Sequence, residues 1–187
     1  MSLLDSNRKY YTFERKERLR LISHATSRIY DENGDLIGKL EGKGTFRKNV
    51  TLIDSFGNSL LTVQKRNYLG TKYDYTVVDS DQNVLGYVKI EKFPDYHAHM
   101  LDKNKKKILI GQGPFKGDVY GIGDENKKII ATFSFSQGKG WKERLSWKEW
   151  CNLEIKNTGF DRLMLLGFFV STYSRFYDIT SKGENAT

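Results

Sequence analysis

Residues 159 to 178, with the sequence GFDRLMLLGFFVSTYSRFYD, form by far the most apolar segment of this chain. Arg162 and Arg175 bracket twelve uncharged residues, which would cover roughly 18 Å as a helix at about 1.5 Å per residue. A hydrocarbon core is about 30 Å thick and usually needs about 20 residues. The sequence therefore predicts no transmembrane span at this segment.

The same segment is predicted to be a helix over about 159–177. Thr158 and Asp161 form a capping-box-like pair at its start. The apolar residues that follow cover every side of the helix rather than one stripe, and a helix of this kind has to be surrounded. Because a lipid environment is disfavoured by length, the rest of the chain must surround it.

That remainder contains five copies of a repeating unit, in which an apolar pair and an aspartate are followed by a polar turn and a second apolar pair. The turns read DENGD, DSFGN, DSDQN, DKNKK and DENKK, and their Asn, Gly and Asp residues favour tight turns. Alternation of apolar and polar residues on the flanks predicts strands. Each unit is thus predicted to be a β-hairpin. The repeated aspartates are Asp31, Asp54, Asp79, Asp102 and Asp124, spaced by 23, 25, 23 and 22 residues.

Five hairpins and their flanking segments predict about ten to twelve antiparallel strands. So many strands in one domain need a closed sheet or a sandwich to remove their edges. A barrel of that size has a lumen too wide for strand side chains alone to fill. The apolar helix is predicted to fill it, which leaves little room for a barrel enzyme or a small-ligand carrier.

Four motifs carry a family resemblance: YDENGDLIGKL, LIDSFGNSLLTV, VVDSDQNVLGYV and the terminal FDRLMLLGFFV. In order and spacing, over roughly residues 25–178, the chain resembles the Tubby C-terminal-like superfamily, which includes the phospholipid scramblases and the LURP-one-related proteins. The resemblance implies a mainly β fold, a closed antiparallel barrel of about twelve strands around a central hydrophobic C-terminal helix. Residues 1–24 would be a basic segment that belongs to the barrel or leads into it, 25–178 a single barrel domain, and 179–187 a flexible tail.

The resemblance also carries an expectation about function. Tubby-like domains bind phosphoinositide headgroups through basic side chains, and scramblases act at membranes. The chain has neither a Tubby phosphoinositide motif nor the Cys-rich or Pro-rich extension of scramblases. Its net charge of +8 independently favours a polyanionic partner, although lysine-rich surfaces also serve solubility.

A single cysteine, Cys151, fits a reducing compartment, and the N-terminal residues contain no signal-peptide pattern. These features predict a cytoplasmic protein, and the resemblance and the basic charge add the expectation that it is peripheral at a membrane. No P-loop, Gly-x-Ser-x-Gly or His-Glu-x-x-His motif occurs in the sequence, so the prediction is a non-enzymatic domain without a cofactor. The oligomeric state cannot be inferred.

Basic and aromatic clusters provide the candidate binding residues. Cationic side chains at or beside predicted strand ends are the candidates for headgroup binding: Arg47, Lys48, Lys65 and Arg66. The three tryptophans, interleaved with cations, suit a membrane interface or base stacking, but Trp147 and Trp150 also fit a role in closing the barrel next to the helix. They are Trp141, Trp147 and Trp150. The alternative function is therefore a nucleic-acid-binding or protein-interaction module, with nucleic acid the less favoured partner.

Two acidic or histidine-containing stretches suggest metal sites only weakly. Asp95, His97 and His99 share a face on a predicted strand and resemble part of a zinc site, but no further ligand lies nearby in the sequence. The loop from Asp79 begins like a calcium loop, yet Val84 stands where glycine is required. A solvated strand face and a hairpin turn are the preferred interpretations, and no metal is predicted.

Overall fold

The computed structural model describes residues 3–16, 26–43, 49–66, 73–92, 96–113, 119–137 and 148–183. Within these ranges the chain forms twelve strands and one C-terminal helix, α1, at Arg162–Gly183. The strands are β1 Tyr10–Lys16, β2 Thr26–Tyr30, β3 Leu36–Lys43, β4 Asn49–Asp54, β5 Ser59–Lys65, β6 Tyr75–Asp79, β7 Val84–Lys92, β8 Tyr96–Asp102, β9 Lys107–Gly113, β10 Val119–Gly123, β11 Ile129–Gln137 and β12 Lys148–Ile155.

The strands form one closed antiparallel barrel. Each strand pairs with its neighbours in the chain, and β1 pairs with β12 to close the sheet, in a register that runs from Tyr10 opposite Glu154 to Lys16 opposite Lys148. Closure removes both sheet edges, which would otherwise expose unpaired backbone groups. The predicted fold is confirmed. The first strand lies inside the segment 1–24, which the sequence assigned to the barrel or its approach.

Five hairpin turns of one design lie at the same end of the barrel, which we call the turn end. In the second turn, Asp54 Oδ1 accepts hydrogen bonds from the backbone N–H groups of Phe56 and Asn58 at 2.9 and 2.8 Å. The aspartates of the other four turns accept the equivalent two bonds. The repeated aspartate therefore specifies the turn.

The fourth residue of each turn has a positive φ angle. The first two turns place glycine there, the residue that adopts this conformation without steric cost, while the other three use Gln or Lys. The five residues and their φ angles are Gly34 at 84°, Gly57 at 91°, Gln82 at 66°, Lys105 at 65° and Lys127 at 63°.

Helix α1 begins where Asp161 caps it. The Asp161 carboxylate accepts a hydrogen bond from the Met164 N–H at 2.8 Å, and its carbonyl accepts one from the Leu165 N–H at 3.1 Å. Asp161 is thus the N-cap, and the prediction that Thr158 caps the helix was wrong. The helix continues to Gly183, past the predicted end at 177 and into the predicted tail; residues 184–187 lie outside the described part of the chain.

The helix runs through the barrel from the turn end toward the opposite end. The ring centroid of Phe169 on the helix lies 4.7 Å from that of Phe13 on β1 and 5.2 Å from that of Phe133 on β11. One turn later, Tyr173 stacks on Phe135 at 6.2 Å. Five apolar side chains of the helix have no access to solvent, as the all-round apolar sequence predicted. They are Leu165, Leu166, Phe168, Phe169 and Val170.

Residues 3–9 pack under the turn end, where the helix enters. Leu3 is fully buried and its carbonyl accepts a hydrogen bond from the Tyr11 hydroxyl at 2.9 Å. Arg162, the first residue of α1, donates to the Ser6 carbonyl at 2.9 Å. The N-terminal residues are therefore tied to both β1 and the central helix.

Candidate functional site

The two ends of the barrel differ in the charge of the residues at their strand termini. Six strands finish at the end opposite the turns, and four of these have lysine as their last residue. Strand β12 also begins there with a lysine. We call this end the lysine end; the residues whose backbones lie at these termini are Lys16, Lys43, Lys65, Lys92 and Lys148. The five turns at the turn end contain nine aspartates and glutamates against five lysines, so the barrel has a polarity of charge along its axis.

Two of the predicted headgroup-binding residues lie at the lysine end. Lys65 ends β5 and pairs with Tyr75 of β6. Arg66 follows it and is exposed, and its Nε donates to Thr76 Oγ1 at 2.9 Å. That bond uses only one of the five guanidinium donors. Arg47 and Lys48 directly precede β4 in the sequence and lie outside the described residues.

Of the three tryptophans, Trp150 lies in the described part of the chain, whereas Trp141 and Trp147 fall outside it. Trp150 stands on β12 opposite Glu14 of β1, in the strand pair that closes the barrel. Its ring centroid is 6.4 Å from that of Tyr30 on β2. Trp150 is half-buried on the outer wall of the barrel.

A groove of about 520 Å³ opens on this outer wall, where β12, β1 and β2 lie side by side next to the first turn. Glu14 occupies its centre, because it is paired with Trp150 on one side and with Arg28 on the other. The residues that line the groove are Thr12, Glu14, Arg28, Tyr30, Asp31, Glu32, Gly34 and Trp150.

The groove contains a buried carboxylate. Glu14 is only 4% exposed, and its Oε2 accepts a hydrogen bond from the Tyr30 hydroxyl at 2.8 Å. Burial is the largest cause that raises the pKa of Tyr30, and the bond to Glu14 adds to it. Tyr30 therefore stays a neutral donor at physiological pH, fixed in place by the glutamate.

Asp31 belongs both to the groove and to the packing of the N-terminal residues. Its Oδ1 organises the first turn, while its Oδ2 lies 3.1 Å from Nη1 of Arg8, and both side chains are almost fully buried. The same Arg8 atom lies 3.7 Å from Glu32. Burial would raise the pKa of Asp31, but hydrogen bonds from Asp35, Arg8 and Asn33 outweigh it and lower the pKa below the usual value.

The predicted histidine cluster lies on the outer face of β8. His97 and His99 stand opposite Glu91 and Lys89 of β7, and Asp95 lies outside the described residues. Burial lowers the pKa of His99, and the ammonium group of Lys107 adds to this effect. In the described ranges, no group of three or more His, Cys, Asp or Glu residues is arranged to hold a metal ion.

The calcium-like loop is a hairpin turn. Asp79 Oδ1 accepts two backbone N–H groups, and its Oδ2 accepts the Asn83 side-chain amide at 3.0 Å. Both carboxylate oxygens are thus engaged within the turn. The lysines of the fourth and fifth turns are exposed at the turn end, where Lys106 bridges to Glu125 at 3.2 Å.

The comparisons with known proteins identify a family. A family model described as LURP-one-related matches residues 11–171. Among solved structures, a protein from Arabidopsis thaliana shares the fold at 15% sequence identity and a TM-score of 0.54, covering 95% of this chain and 98% of that one. No curated protein matches the chain. Within the residues that the structure describes, no helix is both long and apolar enough to cross a bilayer.

Proposed function

Because the chain belongs to the LURP-one-related family, we propose that it is a non-enzymatic, Tubby-like barrel that binds anionic phospholipid headgroups, phosphoinositides among them, at a membrane surface. The family membership confirms the resemblance to the Tubby C-terminal-like superfamily. It supports lipid binding only indirectly, since one fold can serve many functions. The charges on the barrel support the function more directly.

The observation that carries the proposal is the axial polarity of charge. Lysines at the termini of β1, β3, β5, β7 and β12 lie at one end of the barrel, while the turns at the other end contain more carboxylates than lysines. A negatively charged surface attracts the lysine end more strongly than the turn end, so the protein should approach such a surface with the lysine end facing it. Each lysine or arginine near an anionic leaflet contributes about 1 kcal/mol to binding.

Arg66 is the best-described member of this surface. Its side chain is exposed, and the hydrogen bond to Thr76 fixes its Nε, which leaves the other donors of a planar fork that matches phosphate geometry. Lys65 precedes it on the same strand end. Lys65 and Arg66 are the two predicted headgroup-binding residues that lie in the described part of the chain, so they are the ones chosen for substitution.

The test is liposome co-sedimentation with neutral, phosphatidylserine-containing and phosphoinositide-containing vesicles at low and physiological salt. The variant is Lys65→Glu with Arg66→Glu. A matched control, Lys103→Glu with Lys107→Glu, makes the same change in charge on exposed residues at the turn end. Headgroup-selective pelleting that the first variant abolishes and the second retains supports the proposal.

Equal loss in both variants would mean that net charge alone governs binding, and the lysine end would then have no special role. A protein that ignores every vesicle would overturn the lipid proposal. In that case the nucleic-acid alternative is examined with oligonucleotides, for which binding should weaken steeply as salt rises. A protein partner is the remaining interpretation if neither polyanion binds.

A further inference from the structure

We propose that the turn end of the barrel is the interface of a symmetric dimer, and that its partner is the turn end of a second copy of this chain. The inference does not rest on membrane binding, because the lysine ends of both copies lie outside this interface. It rests on how charged and exposed apolar side chains are distributed around the turn end.

The five turns and the closing strands follow one another around the rim of the turn end. The order of strands in the barrel places the turns side by side, from the first turn between β2 and β3 to the fifth between β10 and β11. The start of β1 and the end of β12 complete the circle. The first three turns therefore form one half of the rim, which we call the acidic half, and the fourth and fifth turns lie in the other, which we call the basic half.

The acidic half contains no cation in its turns. The sequences DENGD, DSFGN and DSDQN have six carboxylates and no lysine or arginine. Two of the six, Asp31 and Glu32, lie 3.1 and 3.7 Å from the buried Arg8 and are compensated by it. The other four make no ion pair in the described part of the chain. They are Asp35, Asp54, Asp79 and Asp81.

The basic half has the opposite charge. The turns DKNKK and DENKK have five lysines against three carboxylates, and a sixth lysine, Lys107, follows the fourth turn directly. Lys106 and Glu125 neutralise each other at 3.2 Å. The other five lysines are exposed and form no ion pair within the ranges that the structure describes. They are Lys103, Lys105, Lys107, Lys127 and Lys128.

Exposed apolar side chains are concentrated at the same end. Among the described residues, five large apolar side chains are exposed, and four of them lie at the turn end. Phe56, in the second turn, is 77% exposed, and Tyr10, Leu36 and Ile129 are the first residues of β1, β3 and β11. Val119, the fifth, begins β10 at the lysine end. Exposed apolar side chains that are grouped in this way mark interaction surfaces.

A two-fold axis along the boundary between the halves places the acidic half of one copy against the basic half of the other. The order of the turns then sets the third turn opposite the fourth turn of the second copy, and the second turn opposite its fifth. Asp81 accordingly faces Lys103, and Phe56 faces Ile129. Because such an interface is isologous, each of these contacts occurs twice.

A second copy of the chain is the partner that fits both halves of the rim. A nucleic acid or an anionic membrane would be attracted by the unpaired lysines of the basic half and repelled by the unpaired carboxylates of the acidic half. A second copy supplies both signs of charge in the required order, together with apolar side chains for Phe56 and Ile129. Since the charges are exposed, the dimer should be weak and should dissociate as salt rises.

Sedimentation equilibrium of the full chain, from micromolar to near-millimolar concentration at low and high salt, tests the proposal. A monomer–dimer equilibrium that salt shifts toward the monomer is expected. Two single substitutions, Asp81→Lys and Lys103→Glu, should each weaken the dimer by about 2- to 30-fold, because each exposed ion pair occurs twice. The combined variant exchanges the two charges and should recover most of the affinity.

These two substitutions also separate specific pairing from net charge. The chain has a net charge of +8, so general repulsion between copies would make Lys103→Glu strengthen the dimer and Asp81→Lys weaken it. Specific pairing predicts that both weaken it. A strengthened dimer in the Lys103→Glu protein, or a combined variant weaker than both single ones, would overturn the proposed arrangement.

Phe56→Ser should weaken the dimer by about tenfold, because an aromatic side chain central to an interface contributes strongly to binding. Val119→Ser is the matched control, since it removes an exposed apolar side chain at the lysine end, and it should leave the dimer unchanged. Circular dichroism checks that both variants are folded. Equal effects of the two substitutions, or a wild-type protein that stays monomeric at near-millimolar concentration, would overturn the proposal.

The lipid proposal is tested separately by the lysine-end variant Lys65→Glu with Arg66→Glu. This variant should form the dimer as the wild type does, because both residues lie at the opposite end of the barrel. Loss of the dimer in this variant would contradict an interface at the turn end, whatever the result with vesicles.

Discussion

Gly167 of the central helix lies against Val77 of β6 so closely that a methyl group on Gly167 would come within 2.6 Å of Val77 Cγ1. No other residue type fits there without movement, and the branched side chain of valine has little rotamer freedom with which to yield. The glycine in the apolar segment is therefore a packing requirement of the helix inside the barrel.

We expect Gly167→Ala to destabilise the protein by up to about 2 kcal/mol. Overpacking a filled core typically costs about 1–3 kcal/mol, which outweighs the gain of about 1 kcal/mol in helix propensity. Urea denaturation measures the change. Gly121→Ala is the control, because a methyl group there meets its nearest neighbour at 3.5 Å. Adding Val77→Ala should recover part of the loss; a more stable Gly167→Ala protein would disprove the close packing.

Leu166→Asp should unfold the protein in plain buffer. Leu166 of the central helix is fully buried. A carboxylate at this position would be removed from water without a cation or hydrogen-bond donor to stabilise it. Circular dichroism and gel filtration measure the outcome. Leu166→Met keeps the volume and apolar character and should fold. A folded, monomeric Leu166→Asp protein would contradict the position of the helix in the barrel.

Arg8→Met should cost about 3–5 kcal/mol, because it leaves the carboxylate of Asp31 buried without its cation. The combined variant Arg8→Met with Asp31→Asn removes both charges and keeps the Oδ1 acceptor that organises the turn, so it should be more stable than Arg8→Met alone. Thermal or urea unfolding of both variants measures the difference. Equal stability of the two variants would show that the charge of Asp31 does not depend on Arg8 for its stabilisation.

Lys105→Gly should stabilise the protein by about 0.5–1 kcal/mol. Lys105 has a φ of 65°, a conformation that costs a residue with a Cβ atom about 1–2 kcal/mol, and the larger entropy of glycine in the unfolded chain returns part of that gain. Gly57→Ala should be destabilising, although nothing lies within 4 Å of the added methyl group. If both changes proved neutral, the turns would not be under backbone strain.

The turn aspartates should make the protein sensitive to acid. Hydrogen bonds from the side chain and backbone of Asn58 lower the pKa of Asp54, and those from Asn83 do the same for Asp79. Their stabilising contribution is complete above the unfolded pKa of about 3.9 and is lost as pH falls through the lower folded value. Carboxyl NMR titration of Asn58→Ala should show the Asp54 pKa moving up toward that of an unfolded chain, while Asp79 does not change.

The fold could be predicted because its determinants are local or periodic. Each repeated aspartate lies within four residues of the amide groups it binds, and the all-round apolar helix excludes any exposed position. The predicted start of the helix lies a few residues too early because Thr158 and Asp161 both suit an N-cap. The choice between them depends on the length of the connection from β12, which ends at Ile155.

The groove could not be predicted for the opposite reason. Trp150 and Glu14 meet only because β1 and β12 pair in one particular register, and no local pattern links residues so distant in the chain. Lys65 and Arg66 stand out in the sequence as a basic pair at a predicted strand end, but their place among the lysine-ended strands depends on the direction in which each strand runs.

The closing pair of strands has a consequence for how a newly made chain reaches this structure. Tyr10 bonds to Glu154 across a separation of 144 residues, whereas each hairpin joins neighbours. The hairpins can therefore form during synthesis, but the first strand has to wait for the last one, and the helix that fills the lumen is made later still. Contacts of such long range slow folding. Until the ring closes, β1 and β12 each have one unpaired edge, so the nascent protein is exposed to edge-to-edge association during that interval.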